Sequence, residues 1–393
     1  MFALDCATQG YDWGTTDGIR FFRRAAAGDE PLAEVWMGTH PLGPARALTA
    51  DGPRPLSEIT GDLPFMMKIL SAARPLSIQV HPQASRAEQG YAEEEAAGVP
   101  LDAPQRVFKD PRPKPEMVYA LSTFDTLVGF RPTAEILRVL SPMSSPVVQA
   151  QAGYLRRNPG FRGIVRVVQR LLDSPPSPEG VAAVVEECRR ALDQGIDVKR
   201  AYATAIEIAE HFPGDVGVLI SLMLNRLTLQ PGEAAYLEAG IIHAHLSGMC
   251  LEVMVSSDNV LRAGLTTKHV QADELVRCLD KGMSRVARVT PRLFGLSTDV
   301  FSPGQGDFAL SLTQCSPADP DGVLLPARGD RLLVCTGGEV TLTNRAGDTL
   351  RLQRGDVAYA GETDGDLHLF GTGEVAQAYR PSDETGGVLT DLV

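Results

Sequence analysis

The chain has 393 residues, 44% of them apolar and 22% charged, and carries a formal net charge of −12. That length exceeds what one simple core accommodates and points to two or three domains. The acidic balance argues against a nucleic-acid partner, which needs a basic face, and no apolar run reaches the roughly 18 residues of a membrane span. The opening MFALDCATQGYDWG lacks the basic and apolar regions of a secretory signal. The six cysteines, at 6, 188, 250, 278, 315 and 335, form no CxxC pair and read as buried thiols of a reducing compartment. A cytoplasmic protein is expected.

Residues 1 to about 130 have a β texture of short apolar runs broken by Gly and Pro, as in LAEVWMGTH and EMVYALSTFDTLVGF. In LSIQVHP, Leu76, Ile78 and Val80 fall on one face of a strand and Ser77, Gln79 and His81 on the other. A helix is expected over 84–98, with Ser85 as N-cap and Gly98 as stop. At Pro132 the texture turns helical. In EGVAAVVEECRRALDQG, Val181, Val184, Val185, Cys188 and Leu192 recur at helical spacing, and Gly195 closes the segment. After this insert the β texture returns and persists to the end. TLQPGEAAYLEAG and RLQRGDVAYAGE share a strand, Gly-acid, strand form. The expected fold class is mainly β with a helical insert: two related barrels, 1–131 with 223–290 and 291–393, and an all-α domain over 132–222.

Three pairs of polar residues stand two apart on predicted strands: Gln79 and His81, Lys114 and Glu116, His243 and His245. Spacing of two aims both side chains at one volume, and inside a small barrel that volume is closed. Buried amide, imidazole and carboxylate groups need partners there, and a divalent cation serves them together. Imidazoles with one carboxylate suit zinc with an open position; a neutral Gln ligand would leave the ion a net positive charge and Lewis acidity.

LSIQVHP, FKDPRPKPEM and GIIHAHLSGMCLEVMVSSDNVLRAGLTTKHV, in that order, resemble the type I mannose-6-phosphate isomerases (phosphomannose isomerases). YDWG and LAEVWMGTHPLGPA fit the opening strands of that family. The resemblance implies two cupin barrels with a helical domain, one zinc ion per chain, and interconversion of mannose 6-phosphate and fructose 6-phosphate through a cis-enediolate. It implies Gln79, His81, Glu116 and His243 as zinc ligands, with His245 a pocket residue and not a ligand. Where the family often has NHKPE this chain has RPKPE, which leaves ligation intact and suggests that Arg112 adjusts phosphate affinity.

By the same resemblance Arg262 supports the developing enediolate, and Lys268 and Ser77 contact phosphate. Lys114 is a candidate base, since a cation beside it disfavours its ammonium; Glu252 is the rival. Asp258 is expected to aid ring opening and Trp13 to wall the pocket. The C-terminal barrel, with only His368, is expected to be structural. The partner implied is a small sugar phosphate and the chain a monomer, serving mannose breakdown or GDP-mannose supply. The rival classes are a metal-dependent cupin oxygenase and a non-catalytic sugar-phosphate sensor.

Overall fold

A computed structural model of the chain describes residues 1–280, 287–303 and 306–381; the last part of the expected 291–393 barrel, 382–393, lies outside the described residues. The protein is mainly β. Among the described residues the strands form two eleven-stranded antiparallel sheets.

The first sheet is organised by the long strand His243–Val255. Its second half pairs with Phe65–Ala72 on one side and Glu116–Ala120 on the other, with Val255 opposite Phe65 and Met254 opposite Glu116. Its first half pairs with Phe124–Phe130 and Ile78–Val80, with His243 opposite Gln79. The change of partner falls at a register shift between His245 and Ser247. Gly248 makes the bend possible: its φ is +107°, and a Cβ there would lie 2.3 Å from the Thr123 carbonyl oxygen. One bent strand thereby carries His243 and His245 at one end and Glu252 further along.

Between Thr133 and Ser221 the chain runs through helices. Helix Pro178–Asp193 begins at Ser177, whose hydroxyl accepts from the Gly180 amide at 3.2 Å, and ends at Gly195 with φ +74°. Its buried face is Val181, Val184, Val185 and Cys188, with Leu192 packed at the margin. These residues share a core with Ile78, Val80 and Leu127, so the helices cover the outer face of the strands whose other face is polar. Each fully buried Val or Leu there contributes about 1.5–3 kcal/mol.

Two expectations need correction. Helix Ala84–Ala96 has Gln83 as its N-cap, with no side-chain cap from Ser85; Gly98 has the positive φ of a stop. Phe2–Asp5, Arg46–Thr49 and Gly52–Pro55, expected with the first barrel, are hydrogen-bonded into the other sheet through the pairing of Phe2–Asp5 with Val357–Ala360. Strand texture reports the pleat and not the partner. The two sheets meet through one apolar core, with Val35, Met67 and Val253 from one side and Leu310, Leu332 and Ala376 from the other. All six cysteines are free and buried.

Candidate metal centre

Three side chains converge: Glu116 and His243, each opening a strand, and His81, the residue after strand Ile78–Val80. His81 Nε2 lies 3.2 Å from one Glu116 carboxylate oxygen, and His243 Nε2 lies 3.4 Å from the other. All three are buried, and the two imidazole centroids are 5.0 Å apart. The remaining ring nitrogens face backbone carbonyls: His81 Nδ1 with Asn259 O at 2.7 Å and His243 Nδ1 with Ile241 O at 2.9 Å. Donation there leaves each Nε2 as an acceptor lone pair, the tautomer a metal ligand requires. His81 Nε2 has no hydrogen-bond partner despite its burial, an orphaned polar atom that a cation would satisfy. Gln79 sits across the ladder from His243 and donates to Ser77 Oγ at 3.0 Å, which turns its other polar atom, the carbonyl oxygen, free. This donor set fits zinc.

Charge reinforces the fit. Burial pushes the His81 pKa down to about 4, aided by the Lys114 ammonium, so the ring is neutral and able to ligate at pH 7. Burial would raise the Glu116 pKa, but Lys114 and the two imidazoles outweigh it and hold the carboxyl well below its usual range. Lys114 Nζ is 2.9 Å from Glu116.

A second buried group adjoins the first. His245 Nε2 lies 3.4 Å from Glu252, whose other oxygen is 3.2 Å from Lys68 Nζ. Lys68 also pairs with Glu34 at 3.6 Å and lies over the Trp36 ring. Glu116, His245 and Glu252 could themselves hold an ion. The His245 ring differs from the other two, however: its Nδ1 meets the Thr126 hydroxyl at 3.1 Å, and Glu252 is already committed to Lys68.

Both groups open into a cavity of about 680 Å³. Trp13, Ser77, Gln79, Lys114, Glu116 and His243 line it, as do His245, Glu252, Asp258, Arg262 and Lys268. Of the expected ligands, His81 alone stands behind this lining. Arg262 lies opposite Gln79 in the ladder. Its side chain and that of Lys268 make no hydrogen bond or ion pair among the described residues. Arg262 is close enough to depress the Lys268 pKa, burial adding to the effect. Two unpaired cations on one wall make a seat for an anion. Asp258 instead pairs with His40 Nε2 at 3.1 Å. Arg112 bonds the Ser256 carbonyl at 3.1 Å and is absent from the cavity lining.

Sequence reasoning missed the residues that hold these groups in place. Asn259, fully buried, accepts from the Lys109 amide at 2.7 Å and donates to the Asp110 and Arg112 carbonyls at 2.7 and 2.9 Å. Asp110 in turn accepts from the Asp258 amide at 2.9 Å. This clasp ties the segment bearing Lys114 to that bearing Asp258 and Arg262, while the Asn259 carbonyl orients His81. Asp215, from the helical stretch, accepts from the Leu265 amide at 2.8 Å and pins the turn leading to Lys268. Only the closeness of Asn259 to Arg262 in SSDNVLRAG could have hinted at the clasp.

Fold and site together define a mainly β protein with a buried His–Glu–His group at the floor of a deep polar cavity. Residues 1–133 match the profile of phosphomannose isomerase type I, catalytic domain. The chain is 33% identical to the mannose-6-phosphate isomerase of Salmonella typhimurium over 96% of this chain and 99% of that one. Against the mannose-6-phosphate isomerase of Homo sapiens the identity is 30%, over 92% and 93%. The crystal structure of the Salmonella typhimurium enzyme bound to fructose 6-phosphate and zinc superposes with a TM-score of 0.86 at 32% identity, covering 97% of this chain and 100% of that one. The chain belongs to the mannose-6-phosphate isomerase family.

Proposed function

We propose that this protein is a zinc-dependent aldose–ketose isomerase that interconverts mannose 6-phosphate and fructose 6-phosphate. One observation carries the reading: a buried His81–Glu116–His243 group with both Nε2 lone pairs directed inward shares a cavity with the unpaired cations Arg262 and Lys268. Gln79, His81, Glu116 and His243 would hold the zinc ion, which when bound supplies Lewis acidity toward the sugar carbonyl.

The chain's own residues supply the rest. Lys268, with the Ser77 hydroxyl, takes the phosphate as a compact point charge. Asp258, paired with His40, is placed to move the hydroxyl proton during ring opening. Arg262 stands ready-oriented where negative charge grows on the sugar oxygens in the cis-enediolate, so no reorganisation is needed at that step. Glu252 is the proposed proton acceptor: Lys68 outweighs burial and keeps its carboxylate ionised, so it is free to accept. Lys114, 2.9 Å from Glu116, orients that carboxylate beside the sugar. Trp13 and His245 close the cavity around the sugar.

The finer architecture belongs to the same proposal: a catalytic cupin barrel drawn from 1–131 and 223–290, an all-α domain over 132–222, and a structural cupin-like barrel over 291–393 that also takes Phe2–Asp5, Arg46–Thr49 and Gly52–Pro55. The proposed enzyme is a cytoplasmic monomer. A coupled assay of mannose 6-phosphate to fructose 6-phosphate conversion, with and without chelator, tests the function. Turnover that chelator abolishes and zinc restores is expected; turnover dependent on oxygen, or none at all, would replace it with the oxygenase or the sensor.

A further inference from the structure

A second hollow, of about 870 Å³, lies beside the sugar cavity. The two share Leu42, Asp258, Val260, Arg262, Thr267 and Lys268, so the unpaired cations face both. The chemistry beyond that shared wall is different. The metal-side cavity holds the buried imidazoles and their carboxylates, whereas the groove's own wall carries Pro41, Leu101, Pro104, Val107 and Leu261. Leu42 is 74% and Leu101 52% exposed, an apolar expanse that nothing in the fold covers.

The groove is a built feature. Its 101–109 wall is anchored by Arg106, whose side chain is fully buried and paired with Glu94 at 3.0 Å and Glu95 at 2.7 Å. Gln271 donates to the Gln105 carbonyl at 2.7 Å, and Lys109 bonds the Leu101 carbonyl. A wall held in this way is preformed, so an occupant is not charged the entropy of ordering it.

We propose that this groove binds phosphate monoesters bearing a planar apolar group, the chemistry of a nucleoside monophosphate. The phosphate occupies the Arg262–Lys268 seat from the groove side, and the planar group lies against Leu101, Pro104 and Val107. Sugar phosphate and such a monoester cannot hold the seat together, so the monoester is a competitive inhibitor of the isomerase. The inference rests on the reading that Arg262 and Lys268 receive phosphate.

The test measures inhibition of the zinc-loaded enzyme by inorganic phosphate and by phenyl phosphate, in the wild type and in Leu101→Asp. Both compounds should compete with mannose 6-phosphate. Phenyl phosphate should bind roughly tenfold tighter, the return for burying one ring face on apolar side chains. Leu101→Asp should remove that advantage while leaving the inorganic phosphate constant, kcat and KM unchanged, since Leu101 lies outside the sugar cavity. Equal inhibition by the two compounds, or an advantage that survives the substitution, overturns the groove assignment alone. Failure of inorganic phosphate to compete at all overturns the phosphate seat and the groove with it.

Discussion

The two sheets are built from the same material and differ in which polar groups they bring together. Each has a strand, Gly turn, strand unit, Leu224–Leu229 with Ala234–Leu237 in one and Thr349–Gln353 with Val357–Ala360 in the other. Each also buries polar side chains. In the C-terminal sheet these pair in part with one another or the backbone, as Thr298 with Thr313 at 2.9 Å and Gln377 with the Pro326 carbonyl at 2.6 Å, while Ser311 Oγ, Arg331 Nε and Gln377 Oε1 have no partner. The fully buried Arg331 donates to the Ala327, Gly361 and Gly365 carbonyls. In the first sheet the polar side chains are imidazoles and carboxylates with a lone pair left over. Among the described residues, groups able to hold an ion occur only there. Neither burial nor an unpartnered polar atom is therefore a mark of function; imidazoles and carboxylates converging on one point are.

Substitutions should separate the two regions in order of effect. His243→Ala and Gln79→Ala should lose both zinc and turnover, the latter by more than about 1,000-fold, beyond the cost of one transition-state donor; metal analysis and the coupled assay read this. Arg262→Ala should retain zinc and lose kcat by about 100- to 1,000-fold. Normal turnover of that variant would remove Arg262 from the chemistry. Lys268→Ala should act mainly on KM, raising it about tenfold or more as a ground-state phosphate contact is lost. In the other sheet, Arg331→Met should leave kcat unchanged but cost about 1–3 kcal/mol of stability for each carbonyl left unpaired, seen as a lowered Tm.

The pH dependence of stability sharpens the same contrast. The folded pKa of His81, about 4, lies below its ordinary value. Between those values the unfolded chain binds the extra proton, so stability rises with pH there and is lost as pH falls from about 6.5 toward 4. Glu116, depressed in the fold, adds a loss in the same direction below the ordinary carboxylate range. Metal-stripped protein should therefore melt at lower temperature at pH 5 than at pH 7, and His81→Gln should flatten that slope.

Much of this was legible in the sequence, for physical reasons. Ile78 and Val80 against Gln79 is a period-two pattern, and strand Ile78–Val80 has it, with His81 just beyond its end. The Val181–Cys188 face is a period of 3.6, and the helix buries it. Spacing cannot show which of His243 and His245 keeps a free nitrogen, because that depends on Ile241 and Thr126 lying against the rings. Nor does it show that Lys68 and Glu34 approach Glu252, since those residues are distant in the chain and meet only through strand register.

The account turns on where the cation sits, because two buried groups share Glu116. Anomalous diffraction at the zinc edge from crystals of the zinc-loaded protein locates it directly. The predicted peak lies about 2.0–2.2 Å from His81 Nε2, His243 Nε2 and a Glu116 oxygen, with Gln79 alongside. A peak between His245 and Glu252, or no peak in either group, would contradict it.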